Sequence, residues 1–213
     1  MKDYVSVVYS NKRTPITEYP AQLAMYLFKR FQMKPEMQLL DVGCGRGEYL
    51  DAFKKLGLNC YGIDISKSNI ESISCVDVAV GDFQYGDSSF DIVFHKSLIE
   101  HLPNYNNLMK ETYRVLKPGG RVIIMTPDWG SQMKIFYEDP THMKPYDVTA
   151  IHDLLEIYGF ESIESELFYQ LPIVWKHRSI RIISRVLRTI LPVTIARATR
   201  IKFLRWSVEL MVL

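Results

Sequence analysis

No uninterrupted apolar run approaches the roughly 18 residues that a membrane-spanning helix requires, although 47% of the 213 residues are apolar. The opening stretch MKDYVSVVYSNKR has no apolar core of the kind a secretory leader carries. Cysteine is scarce. Cys44, Cys60 and Cys75 are spaced neither as a metal knuckle nor as a disulfide framework, which suits a reducing compartment. There are no internal repeats and no low-complexity linker. These absences set aside a spanning protein, a disulfide-stapled module and a repeat array. They leave a globular chain, expected in the cytoplasm and long enough for one domain with a sizeable core.

What is present is unevenly charged. The net charge is only +2, yet from Val174 onward there are nine Lys/Arg and one acid, Glu209. The preceding body holds 17 basic and 23 acidic residues, so it is near −6 and the final segment near +8. A split this strong predicts that the final segment meets something anionic.

Strand-like and helix-like segments alternate through most of the chain. Met37–Val42, Cys60–Ile65, Asp77–Val80, Phe90–His95 and Arg121–Thr126 read as strands. Gly47–Leu56, the stretch near Pro103–Leu116, and Asp147–Tyr158 before Gly159 read as helices. Lys117-Pro118-Gly119-Gly120 reads as a breaker, and Glu161–Tyr169 as a further strand. Val208–Leu213 reads either as a terminal antiparallel strand or as a last helical turn. Alternation of this kind predicts an α/β fold, a doubly wound and mainly parallel sheet covered on both faces. Ligands of such sheets sit beyond the carboxyl ends of the strands, so the strand ends are where chemistry is expected.

The first strand ends in Asp41-Val42-Gly43-Cys44-Gly45-Arg46-Gly47. Alternate glycines allow a tight turn and close approach of a ligand to the backbone, just before a helix N-terminus with unpaired N–H groups. The spacing is G-x-G-x-G rather than the G-x-G-x-x-G of a dinucleotide fingerprint. The second strand ends at Asp64, followed by Ile65, about 20 residues on, where an acid can accept from ribose hydroxyls. The third runs into Gly81-Asp82-Phe83, with Asp82 able to accept from an adenine amino group and Phe83 able to lie on the ring. The fourth, Phe90-Asp91-Ile92-Val93-Phe94-His95, leads into Ser97-Leu98-Ile99-Glu100-His101-Leu102. Each acid alone would serve as a turn or helix cap.

The series LLDVGCGRGEYL, YGIDIS, VGDF, FDIVFHKSLIEHL, LKPGGRVIIMTP resembles the class I S-adenosylmethionine (SAM)-dependent methyltransferase family over residues 37–126. The resemblance implies a Rossmann-like, seven-stranded sheet with one antiparallel strand, and SAM as cofactor. It implies that Asp41, Gly43, Cys44, Gly45 and Gly47 line the methionine and ribose part of SAM. Asp64 and Ile65 would hold the ribose, Asp82 and Phe83 the adenine, and His95 and Ser97 would face the cofactor from the other side. Asp91, inside its strand, is expected to be structural. The divisions expected within a single domain of 1–213 are an N-terminal cap and helix (1–36), the cofactor core (37–126), a substrate-side loop, helix and strand (127–173), and a helical, basic, amphipathic segment (174–213).

For catalysis the candidates are Glu100, His101 and His142. A Glu-His pair after the fourth strand resembles that of metal-dependent methyltransferases of the ubiquinone and small-RNA 2′-O groups, which carry a further Glu three positions earlier, where this chain has Ser97. Three alternatives stay open: a divalent metal on Glu100, His101 and His142; a metal-free general base at His142 or His101; and capping or packing. The Asn/Asp-Pro-Pro-aromatic motif of nucleic-acid amino-methyltransferases is replaced by His95-Lys96-Ser97-Leu98, which favours an oxygen acceptor, and nucleic acid is not an expected partner. The final segment sets Ile180, Ile183, Leu187 and Ile190 at helical spacing, with Arg181, Arg185 and Arg188 on another face. It is either a lid or an interfacial helix attracted to anionic lipid, peripheral at the inner membrane face. It also resembles, loosely, methyltransferases of bacterial glycan and lipid-sugar biosynthesis, as does Asp139-Pro140-Thr141-His142 with Pro145-Tyr146. Tyr137, Tyr146, Phe168, Tyr169 and Trp175 are candidates for stacking on an acceptor. The expectation is an O-methyltransferase for a sugar-containing or lipid-linked acceptor. The alternatives are a soluble enzyme for a quinone-like or phenolic acceptor and a non-catalytic SAM-binding regulator. No oligomeric state is implied.

Overall fold

The structure, a computed structural model, describes residues 15–176, 179, 180, 183 and 208–212. It divides into two compact units, one drawn from Met1–Lys96 and Asn104–Val122, the other from Ser97–Pro103 and Ile123–Leu213. The single body expected over 1–213 is described below as these two.

The first unit opens with helix α1 (Tyr19–Arg30), with Pro20 in its first turn and Lys29 and Arg30 in its last. Proline loses nothing there, because the first N–H groups have no helical partner, and the two cations suit the carbonyl end. Leu23, Ala24 and Leu27 form its wholly buried face. The strands are β1 (Gln38–Val42), β2 (Asn59–Asp64), β3 (Ile73–Cys75), β4 (Phe90–Lys96) and the start of β5 (Leu116–Pro127). Helices α2 (Glu48–Lys54) and α3 (Asn106–Val115) complete the unit. The strand order is β3-β2-β1-β4-β5, and the β1–β2, β1–β4 and β2–β3 pairs are parallel. Leu39, Leu40, Val42, Ile92, Val93 and Phe94 are all buried, so these strands carry near-continuous apolar runs, as parallel strands covered on both faces do. Each such side chain contributes roughly 1.5–3 kcal/mol by leaving water. Phe94 packs edge-on against Phe53 of α2 at 5.5 Å.

Asp91 is structural, as expected. Its carboxylate accepts the Gln38 N–H and the Lys117 ammonium, each at 2.8 Å. Burial works to raise its pKa, but these partners hold it below the ordinary value.

The second unit holds a 3-10 turn at Ile99–His101, the end of β5, a short helix α4 (Trp129–Gln132), a 3-10 turn at Phe136–Glu138, helix α5 (Val148–Ile157), strand β6 (Ser165–Tyr169), helix α6 (Pro172–Lys176) and strand β7 (Val208–Val212). Asp147 caps α5, accepting from the Ala150 N–H at 2.8 Å, and Gly159 ends it at φ 85°. The strand order is β5-β7-β6, with β7 antiparallel to both neighbours. With β5 common to the two orders, seven strands form the expected α/β sheet, and Val208–Val212 takes the strand alternative.

Two local expectations are corrected. The third strand lies at Ile73–Cys75, not at Asp77–Val80. Asp77 instead gathers the N–H groups of Ala79, Val80 and Gly81 onto its carboxylate and carbonyl, folding that stretch into a turn as Asp does readily. The presumed breaker at 117–120 lies within β5, which absorbs Gly119 at φ 74°. The amphipathic reading of the basic segment falls outside the described residues, except that Ser179, Ile180 and Ile183 are helical. Among the described residues no helix is long and apolar enough to cross a membrane.

Candidate active site

The turn after β1 is built on glycines in the left-handed region. Gly43, Gly45 and Gly47 have φ of 76°, 53° and 76°, a conformation that costs other residues about 1–2 kcal/mol each. Asp64 at the end of β2 pins this turn. One carboxylate oxygen accepts the Gly45 N–H and the other the Ser66 N–H, both at 2.8 Å. Gly43 and Cys44 also donate to the Ile63 carbonyl. The expected ribose ligand is thus also what shapes the glycine turn. A carboxylate has about four acceptor positions, so two N–H groups do not exhaust it. Ile65 beyond it is 67% exposed.

Two observations test whether this turn fits SAM. A side chain added at Gly45 would meet nothing within 4 Å, so the backbone there faces open space. Asp41 is buried, and its Oδ2 has no hydrogen-bond partner among the described residues. Burial first, and the nearby Asp64 second, push its pKa up to about 8. An enclosed acid lacking a partner is costly and is suited to a ligand that brings cationic or donor groups. The residues fit the cofactor. Cys44 contributes only backbone, since burial drives its thiol pKa well up and leaves it inert.

Asp82 is exposed on the connection that follows β3. Sequence reasoning did not find what holds that connection. Asn107, Glu111 and Arg114 lie at i, i+4 and i+7 on one face of α3 and grip it along its length. Asn107 donates to the Val78 and Gly81 carbonyls at 3.1 and 2.9 Å. Glu111 accepts the Phe83 N–H at 2.8 Å. Arg114 donates to the Tyr85 carbonyl and to Asp87, both at 2.8 Å, and forks onto Glu111 at 2.7 and 2.6 Å. The Arg114 guanidinium, against the opposing effect of burial, holds the Glu111 carboxyl below its ordinary range. The available signal was polar residues at helical spacing beneath an apolar face.

Two expected cofactor contacts are placed elsewhere. Phe83 is wholly buried, so its ring belongs to the core and offers no face to an adenine. His95 is also wholly buried, and its Nε2 lies 3.1 Å from Thr112 Oγ1 on α3. In the β1–β4 register Asp41 is opposite Phe94 and Val42 opposite His95. Residues in register share a face of the sheet, so His95 points away from the Asp41 face. Burial pushes its pKa down to about 3, and it is a neutral core residue.

In the second unit, Ser97 sits at φ 53°, uncommon for a residue with a side chain, and its N–H donates to the Met125 carbonyl at 2.8 Å. Glu100, His101 and His142 come together, one ligating atom from each lying within 4.8 Å of the others. Glu100 is wholly buried, and its Oε2 accepts from the buried Thr126 hydroxyl at 2.9 Å. Its carbonyl accepts from the Met143 and Lys144 N–H groups, tying the two segments together. The histidine rings are 4.7 Å apart, and His142 lies 4.5 Å from the Phe136 ring. His142 Nδ1 is 2.7 Å from the Phe136 carbonyl, which can only accept, so Nδ1 carries the proton. Thr141 Oγ1 donates to Asp139 at 2.6 Å, so it accepts from His101 Nδ1 at 2.8 Å. In both rings Nδ1 is thus the donor nitrogen. Burial first and His142 second lower the His101 pKa, keeping that ring neutral. Such a group can accept a proton or ligate a cation.

Of the aromatic candidates, Tyr137 is 61% exposed and touches Trp129 and Phe136 edge-on. Tyr146, Phe168 and Tyr169 are buried, and Trp175 stacks on Phe168. Core packing accounts for these four.

Residues 13–165 match the family model of a methyltransferase domain. The chain is 35% identical over 161 residues to phosphoethanolamine N-methyltransferase 2 of Caenorhabditis elegans, covering 66% of this chain and 36% of that protein. It thus spans little more than a third of that relative. Among solved structures, a SAM-dependent methyltransferase from Archaeoglobus fulgidus matches with a TM-score of 0.67 at 22% identity over 99% of both chains. Phosphoethanolamine N-methyltransferase 2 of Haemonchus contortus, in complex with phosphomonomethylethanolamine and S-adenosylhomocysteine, matches at 0.63 and 19% identity, over 99% of this chain and 58% of that one. At these identities the two structures speak for the fold.

Proposed function

The chain belongs to the class I SAM-dependent methyltransferase family, and from that premise we propose that it is an enzyme that moves the methyl group of SAM to an acceptor hydroxyl. SAM supplies a methyl already activated on a sulfonium, which passes to the acceptor oxygen while the C–S electron pair stays on sulfur. The protein's tasks are to hold the two partners and to dispose of one proton. Asp41, the turn Gly43–Gly47, Asp64 and Asp82 bind the cofactor. Glu100, His101 and His142 receive the acceptor, and the hydroxyl proton leaves through them.

The observation that carries the oxygen acceptor is the convergence of His101 and His142, each engaged through Nδ1, on the buried Glu100 carboxylate. A hydroxyl is a poor nucleophile until its proton is removed, and two imidazoles beside a buried carboxylate favour that removal. The strongly basic segment from Val174 supports an acceptor carried on an anionic surface, a sugar-containing or lipid-linked one. A second reading, a small soluble acceptor, is favoured by the match to phosphoethanolamine N-methyltransferases.

The test follows labelled methyl from SAM into cell extract separated into lipid and soluble fractions. Label on oxygen in the lipid fraction is expected. Label confined to soluble amines would replace this function with the second. Asp64→Ala should lose at least tenfold in kcat/KM, because it removes a cofactor ligand and frees the glycine turn together. Turnover that survives intact in that variant would refute the assigned cofactor site.

A further inference from the structure

We infer that Asp139 and Thr141 are positioning residues for the methyl transfer, acting through His101: the Asp139 carboxylate fixes which way the Thr141 hydroxyl points, and that hydroxyl fixes which nitrogen of the His101 ring carries the proton. The inference rests on the reading above in taking His101 as the group that receives the acceptor's proton.

The arrangement begins as a local turn. Asp139 Oδ1 accepts the Thr141 N–H at 2.9 Å and the Thr141 hydroxyl at 2.6 Å, with the stiff Pro140 between them. The first bond closes the turn, and almost any residue at 141 supplies it. The second adds nothing to the turn, and it belongs to the atom that faces the chemistry. Thr141 Oγ1 also lies 2.8 Å from Nδ1 of His101, 40 residues earlier in the chain, on the 3-10 turn Ile99–His101. Loop ordering therefore accounts for Asp139 and the main chain, and leaves the Thr141 side chain unexplained.

A hydroxyl carries one proton, and it either donates to an imidazole nitrogen or accepts from it. The two arrangements place the heavy atoms alike and put the histidine proton on opposite nitrogens. A carboxylate only accepts, and O–H···O⁻ bonds of about 2.5–2.7 Å are among the strong ones. Asp139 thus commits the Thr141 proton, and the oxygen turns to His101 as an acceptor. His142 needs no such device, because its Nδ1 meets the Phe136 carbonyl directly. Asp139 governs one ring of the pair and not the other. Charge acts in the same sense, since burial first and His142 second lower the His101 pKa and Asp139 opposes them.

The step served is balanced. The acceptor oxygen bonds the methyl carbon while the C–S pair stays with sulfur, and the hydroxyl proton passes to Nε2, the nitrogen that accepts in a neutral ring protonated at Nδ1. The imidazolium so formed keeps its Nδ1–H on Thr141, with the Asp139 charge behind it. The opposite tautomer already carries a proton at Nε2 and takes none from the acceptor.

The full chain, labelled with ¹⁵N-histidine, is read by NMR of the ring nitrogens. His101 and His142 are both expected as Nδ1–H forms. Asp139→Ala and Thr141→Val should each move His101 toward the Nε2–H form and leave His142 unchanged, and Thr141→Ser should restore the native pattern. Methyl transfer from labelled SAM into the extract fraction that accepts it is measured on the same proteins. Asp139→Ala and Thr141→Val should lose about 10–100-fold in rate at saturating SAM, part of the roughly 10²–10⁴ that a placed acid–base group contributes. The SAM KM should hold, and Thr141→Ser should recover most of the rate. A His101 tautomer that stays in place in both variants would overturn the relay, as would a shifted tautomer with undiminished transfer. His101→Gln tests the underlying reading by itself. Transfer that survives in it removes His101 as the base, and with it the positioning role, even where the tautomer shifts are as expected.

Discussion

His95 shows what a single buried side chain does to pH dependence. Enclosed in the first unit, it titrates near 3 rather than at the ordinary 6.5, so between those values the unfolded chain binds a proton that the native chain refuses. Native stability from this group is complete above about pH 6.5 and is lost as pH falls toward 3. Calorimetric melting from about pH 8 down to 4 should show the midpoint falling below 6.5, and His95→Gln should flatten that limb. Parallel profiles for the two proteins would show that another group is responsible. His95 also marks where reading the sequence stopped short. Asp41 and Asp64 are recognisable because short motifs fix them at strand ends. Which face a residue occupies depends on pairing register, and no single strand encodes that. One position along β4 separates the Asp41 face from the α3 face. Phe83 differs from the expectation for a related reason. The turn motif marks its position, while the burial of its ring is a matter of tertiary packing that the motif does not contain.

Helix α3 makes the case for elements. Its apolar positions Leu108, Met109 and Val115 are buried, and that periodicity is visible in the sequence. Its second duty, gripping the connection that bears Asp82, is not, because the partners are mostly backbone atoms whose identity leaves no trace in composition. Glu111 links both ends of this grip. Glu111→Ala leaves the Phe83 N–H and the Nε and Nη2 of Arg114 without their acceptor, a cost of about 1–3 kcal/mol in stability. It should also raise the SAM KM about tenfold while leaving kcat at saturating SAM nearly unchanged. Glu111→Gln, which keeps an acceptor for Phe83, should recover part of the loss. A fall in kcat with unaltered KM would assign the helix some other role. The misplaced third strand has a similar cause. Val78 and Val80 have strand character, but Asp77 offers the backbone a closer set of acceptors than a sheet edge can.

At the scale of the molecule, the second unit depends on β7. It lies between β5 and β6 and pairs with both, so it fills the middle of that part of the sheet. Removing residues 208–213 should strip two strands of partners at once. Hydrogen exchange in 165–169, and at the N–H groups of 124–127 that face β7, should then rise to the rate of exposed backbone, while 38–42 and 90–96 stay protected. Unchanged protection in β6 would contradict the pairing. The α/β class and most element positions were legible because parallel strands buried on both faces read as apolar runs. The identity of β7 as a strand was undecided, because five residues after a basic segment carry too little pattern to separate strand from helix. A consequence for this chain's evolution follows from the way α3 holds its loop. Four of the five bonds to residues 78–87 are made to main-chain atoms, with Asp87 the exception. Substitutions at Asp82 can therefore accumulate without unseating the loop, so selection, or a protein engineer seeking an enzyme for altered nucleosides, is free to rewrite the base recognition proposed for Asp82 on a fixed chassis.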